Sequence, residues 1–130
     1  MKRITIVSAL LLTLGCLLLT SAEASQKPKK AVAKRATLKV VKPNLVCMVN
    51  NTVFSREQIP VEVDGKTYYG CCEMCKSRLA NDEAVRYAVD PVTNKKIDKA
   101  TAVIGAKADG SVLYFESEKT LKQYSAGGAQ

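Results

Sequence analysis

The dipeptide Asp-Gly occurs twice in this chain, as Asp64-Gly65 and Asp109-Gly110, and each time it lies between two apolar or β-branched runs. The first pair of runs is Ile59-Pro60-Val61-Glu62-Val63 and Lys66-Thr67-Tyr68-Tyr69; the second is Ala102 to Ala106 and Ser111 to Phe115. Glycine accepts the positive φ that a tight hairpin turn requires, so the pattern predicts two β-hairpins. A helix-like segment follows each. One runs from about Cys72 through Leu79, with Asn81-Asp82-Glu83 restarting a second turn through Val85 and Val89. The other opens at Ser117, a good N-cap, and places Leu121 and Tyr124 on one face. A hairpin with one short helix buries little apolar surface, so the two ββα units are expected to share a core. The predicted class is α+β, with units over 43–89 and 90–125 and a frayed end over 126–130. Tyr68, Tyr69, Tyr114 and Phe115 are expected in core and cross-strand packing.

The two copies differ in their sulfur. Aligned at the Asp-Gly turns, Cys71 matches Glu116, Cys72 matches Ser117 and Cys75 matches Thr120; with a one-residue gap, Val46-Cys47 matches Val92-Thr93. The first copy carries Cys47, Cys71, Cys72 and Cys75, and the second carries none. The chain also has no histidine, which removes the commonest general base and the commonest nitrogen ligand. Cys47 precedes the hairpin, while Cys71 and Cys75 sit where its second strand passes into the helix. The positive end of that helix favours thiolates there. Thiolates converging in this way suit zinc or copper(I) and not hard, oxygen-seeking ions. Cys72 is a candidate fourth ligand, although neighbours at a helix start point in different directions. Two other readings stay open. Exported proteins meet oxidising conditions, in which four cysteines form structural disulfides and staple an interaction module. Cys72-Glu73-Met74-Cys75 is also a Cys-x-x-Cys at a helix start, as in thiol oxidoreductases, but the chain lacks the larger βαβ frame of those enzymes. Met48 and Met74 adjoin cysteines and can add thioether ligands or fill gaps in the core.

The N-terminal residues read as an export signal over 1–24: Lys2 and Arg3, an apolar run from Ile4 to Leu19, and the small-x-small Ala22-Glu23-Ala24. That run is shorter than the roughly 20 residues that span a bilayer. A lipidated Cys16 is a minor alternative, and cleavage after Ala24 removes Cys16. The expected location is the periplasm. The net charge of +8 belongs to a leader: residues 25–42 hold seven Lys or Arg and no acid, whereas from Pro43 onward 11 basic residues face 11 acidic ones. A Lys/Ala/Pro leader of this kind is expected to be disordered, with at most a peripheral electrostatic contact to a membrane. Nucleic acid is not expected as a partner, since no arginine-rich or aromatic stacking surface is present.

Cys47, Cys71 and Cys75, with 23 residues between the first two and three between the last two, resemble the cysteine signature of the TRASH and YHS domains. Gly65-Lys66-Thr67-Tyr68-Tyr69 is similar to their Gly-Lys-x-Tyr-Tyr strand, and Lys76 to Leu79 with Asp82 and Tyr87 is similar to their helix. Asp90-Pro91-Val92 resembles the Asp-Pro-Val with which such domains open, and Tyr114-Phe115-Glu116-Ser117 their Tyr-Phe-x-Ser. The resemblance covers about residues 43 to 125. It implies a treble-clef-like unit holding one ion through Cys47, Cys71 and Cys75, and metal binding, sensing or delivery with no turnover. It also implies, as a partner, another exported or membrane metal-handling protein. Met48 stands where the family has the glycine of Cys-Gly-Met, Gly70 where it has an aromatic residue, and Cys72 where it has a serine.

Overall fold

A computed structural model describes residues 37–127. The expected export signal over 1–24 with Cys16, the leader as far as residue 36, and residues 128–130 lie outside the described residues. The elements are β1 (Lys39–Val40), β2 (Val46–Cys47), β3 (Thr52–Val53), β4 (Ile59–Val63), β5 (Lys66–Gly70), α1 (Glu73–Asn81), β6 (Tyr87–Val89), β7 (Lys96–Asp98), β8 (Val103–Ala106), β9 (Val112–Phe115) and α2 (Glu118–Ser125). Short 3-10 turns occupy Pro43–Leu45 and Glu83–Arg86. The mixed α+β class expected from the sequence is present. Among the described residues no helix is long and apolar enough to cross a membrane.

Both Asp-Gly sites close antiparallel hairpins, by different turns. In β4–β5, Val63 pairs with Lys66, so Asp64 and Gly65 alone make the turn, and both have positive φ, 50° and 73°. That is the mirror-image turn whose twist suits a hairpin. In β8–β9 the last pair is Ala106 with Val112. The Lys107 N–H donates to Ser111 O at 2.8 Å, and the Gly110 N–H returns to Lys107 O at 3.1 Å. Only Gly110 is left-handed there, with φ 82°. The Asp109 carboxylate accepts from the Ser111 N–H at 2.9 Å and its hydroxyl at 2.7 Å, which favours a three-residue loop ending on the glycine.

The helices begin where expected. Cys72 is the N-cap of α1 and Ser117 that of α2, and the Ser117 hydroxyl accepts from the Thr120 N–H at 3.3 Å. The segment after α1 differs from expectation: Val85 lies in a 3-10 turn and Val89 in a strand. The extended Asp82 ends α1, and its carboxylate caps the new turn through the Ala84 N–H at 3.0 Å. Tyr87-Ala88-Val89 then pairs with Lys96-Ile97-Asp98, a third hairpin that spans residues 89 and 90, where the second unit was expected to begin. The leader also orders sooner than its charge implies. Lys39 and Val40 pair with Ala106 and Gly105, giving the sheet order β1-β8-β9. A Cβ on Gly105 would lie 3.0 Å from Leu38 and 3.2 Å from both Leu121 and Phe115, so a bare backbone there lets three side chains converge.

One core joins both halves. Val46, Met48, Val61, Tyr68 and Leu79 pack in a single cluster with Ile104, Ala106, Val112 and Tyr114. Phe115 is fully buried with its ring edge-on to Tyr124 at 5.7 Å, while Tyr69 is half-buried. Of the two methionines beside cysteines, Met48 fills the core and Met74 is 74% exposed. A polar tie runs alongside this core. The Tyr68 hydroxyl donates to both Asp98 oxygens at 2.9 and 3.0 Å, Lys66 Nζ lies 2.7 Å from Oδ2, and the Ala100 N–H reaches Oδ1 at 2.9 Å. Burial works against the Asp98 charge, but the Lys66 ammonium, the Ala100 N–H and the Tyr68 hydroxyl outweigh it and hold the carboxyl below its ordinary value. Burial, and then the Asp98 carboxylate, push Tyr68 up to about 12.

A depressed carboxyl pKa stabilises the fold above the unfolded value of about 3.9 and loses that contribution as pH falls through the folded value. Asp98→Ala is expected to cost about 1–3 kcal/mol at neutral pH, because it strands the buried Tyr68 hydroxyl. Urea unfolding of both proteins over a pH series checks this: the gap narrows below about pH 4, and a gap independent of pH contradicts it.

Candidate metal centre

Cys47 ends β2 and is fully buried. The chain turns sharply over the next residues and reaches a left-handed Asn51 with φ 54°, a conformation asparagine tolerates better than most. This turn is pinned on two sides. The Met48 N–H donates to Tyr69 O at 2.8 Å on β5, and Lys99 Nζ donates to Met48 O at 2.6 Å and Asn51 Oδ1 at 2.8 Å. Cys71 directly follows β5, and Cys75 lies in the first turn of α1, so one strand-to-helix junction supplies both. Gly70 makes that junction tight. A Cβ there would stand 3.1 Å from both Cys75 Cβ and the Lys76 nitrogen.

The Cys71 and Cys75 sulfurs are 3.6 Å apart, and the sulfurs of Cys47, Cys71 and Cys75 all lie within 4.8 Å of one another. Metal–sulfur bonds of about 2.3 Å in a tetrahedral shell separate sulfurs by about 3.8 Å, so small side-chain adjustments close this group around one ion. The donor set is soft and matches zinc or copper(I). The Asn50 amide approaches the Cys71 sulfur at 3.9 Å.

The thiols have unlike surroundings. Burial opposes ionisation of Cys47, yet the N–H groups of Asn50 and Val49, the Cys71 thiol and the Cys71 N–H together hold it below the ordinary thiol value. Cys71 is raised, first by its hydrogen bond to Cys47 and then by burial. Cys75 is pushed up to about 12, chiefly by burial and then by the three neighbouring thiols. Without a cation, one ionised sulfur therefore discourages the other two. All four cysteines of this half are free thiols.

Cys72 lies outside the group of three. It is exposed and has the extended N-cap conformation, φ −157° and ψ 170°, close to that of Ser117 at −160° and 164°. Its sulfur makes no cap hydrogen bond of ordinary geometry, but the nearby Cys75 N–H still lowers its pKa. Met74, beside it, points into solvent.

The second copy answers the same packing problem with oxygen. Asp90 is fully buried. Its Oδ1 accepts from the Val92 N–H at 2.7 Å and the Thr93 N–H at 3.3 Å, and its Oδ2 accepts from the Glu116 N–H at 2.8 Å. Burial opposes the charge, but these N–H groups and the Thr120 hydroxyl hold Asp90 below the usual carboxylate range. One carboxylate thus gathers Thr93, Glu116 and Thr120, the three positions aligned with Cys47, Cys71 and Cys75. In the first copy the residue aligned with Asp90 is Asn44, whose amide instead donates outward to Glu57 at 2.8 Å.

Sequence reasoning overlooked Lys99 and Asp90. Nothing marks Lys99 in its context of Ile97-Asp98-Lys99-Ala100, because only the fold reveals that it is buried. Asp90 stood within a recognised Asp-Pro-Val but carried no assigned role. Compared with known proteins, the chain matches no family model, no curated protein and no solved structure.

The environments set an order of reactivity for the reduced, metal-free protein. Limiting iodoacetamide followed by peptide mass mapping is expected to find Cys72 alkylated first, since it is exposed and favours its thiolate, and Cys47 last, since it is buried. Equal labelling of Cys47 and Cys72 contradicts this geometry.

Proposed function

We propose that this protein binds one soft metal ion, zinc or copper(I), through the thiolates of Cys47, Cys71 and Cys75, and serves in metal handling, delivery or sensing with no turnover. The observation that carries the reading is the convergence of three sulfurs, from two separate stretches of chain, to within 4.8 Å of one another. A bound ion supplies the positive charge that lets all three sulfurs ionise. The protein's part is to hold them: the pinned turn fixes Cys47, and the close Gly70 junction fixes Cys71 against Cys75. Cys72 or water completes the coordination; a carboxylate, the other candidate, is not among the described residues grouped with the sulfurs.

The resemblance to TRASH and YHS domains supports the same reading, with the second copy as a supporting unit without ligands. We further propose that the chain is exported to the periplasm and exchanges its ion with another exported or membrane metal-handling protein. The exposed Cys72 and Met74, soft donors next in sequence to Cys71 and Cys75, are consistent with exchange by ligand replacement.

Metal analysis of freshly purified, reduced protein is expected to show one equivalent of zinc or copper, and less than about a tenth of an equivalent overturns the reading. Chelator competition is expected to show losses on the order of a hundredfold for Cys47→Ser, Cys71→Ser and Cys75→Ser, and less than about tenfold for Cys72→Ser.

A further inference from the structure

Lys99 is 4% exposed, yet no carboxylate among the described residues pairs with it. Its ammonium donates to Met48 O at 2.6 Å and Asn51 Oδ1 at 2.8 Å, and faces the buried Tyr114 ring at 5.1 Å. These partners are neutral. A buried charge without an opposite charge is costly, and folds retain one where something nearby balances it. Burial lowers Lys99 to about 8, and the charge acting in the opposite direction is that of Cys47. The carbonyl that Lys99 grips belongs to Met48, the residue next to Cys47, so the ammonium is anchored on the turn that carries one of the three sulfurs.

We propose that Lys99 is the built-in counter-charge of the thiolate centre, a positioning residue that holds the turn after Cys47 and electrostatically stabilises the metal–thiolate complex in proportion to its net negative charge. This rests on the metal reading above. No carboxylate among the described residues joins the sulfur group, so with water as any further ligand three thiolates around a divalent ion leave one net negative charge, and around a monovalent ion they leave two. The difference between those two complexes does not depend on how the metal-free thiols are protonated. A fixed positive charge therefore favours the copper(I) complex over the zinc(II) complex by one extra unit of interaction. A residue that merely braces the turn affects both ions alike.

The test is Lys99→Gln, which keeps a hydrogen-bond donor and removes the charge, made in a Cys72→Ser background so that no fourth thiolate alters the count. Zinc(II) and copper(I) affinities are measured by chelator competition against the Cys72→Ser parent. The expected result is a loss on the order of tenfold for zinc(II) and on the order of a hundredfold for copper(I). Equal losses for the two ions, or none, overturn the proposal while leaving the metal reading intact. Failure of both the wild-type chain and the parent to bind either ion overturns both. Should Lys99→Gln not fold, the wild-type chain still decides: the 15Nζ resonance of Lys99 is expected to shift and its ammonium protons to exchange more slowly on adding zinc. An unchanged resonance in a protein that has bound zinc overturns the proposal.

Discussion

The arrangement of this domain depends on how the turn after Cys47 is held. Val46, Cys47 and Met48 are fully buried in succession, which a polar backbone tolerates only if its hydrogen bonds are met. The Met48 peptide meets them across the molecule, with its N–H on β5 and its carbonyl on the Lys99 ammonium. The first partner belongs to the half with the cysteines and the second to the half without them. The Met48 side chain sits in the cluster shared by both halves. The sulfur group is thus built on a junction, and the second ββα unit contributes directly to the position of Cys47.

The local elements were legible in the sequence because each rests on short-range chemistry. Asp-Gly between β-branched runs gave both hairpins, Ser117 gave a helix start, and the spacing of Cys71 and Cys75 put two sulfurs on one turn. What escaped depends on partners distant along the chain. Lys39 and Val40 read as the end of a charged leader because nothing local shows that the edge of β8 is free to receive them. Tyr87 to Val89 read as helix because Val85 and Val89 fit its period; pairing with Lys96 to Asp98, with Lys96 Nζ 3.9 Å from the centre of the Tyr87 ring, decides otherwise. The buried ammonium of Lys99 left no local signal at all.

Comparison of the two copies clarifies what the sulfurs replace. In the second, the Asp90 carboxylate draws the start of the unit to the β9–α2 junction through three N–H groups. In the first, Asn44 points away, and the corresponding junction is linked through sulfur, with the Cys71 N–H turned toward Cys47. At the helix start itself the backbones of Cys72 and Ser117 have near-identical conformations, so at that point the two copies differ in side chain. One copy is closed permanently by a covalently attached anion; the other is left with donors that need a cation to be fully ionised together.

The absence of a side chain at Gly70 has a mechanical consequence. Because α1 rests directly on the end of β5, the spacing between the backbones of Cys71 and Cys75 is set by close contact at Gly70, and only rotation of the two short side chains is left to adjust their sulfurs. Such a pair behaves as a caliper with a fixed hinge and a short travel. The third jaw, Cys47, is set apart from that pair, on a turn held by β5 on one side and by Lys99 of the opposite half on the other.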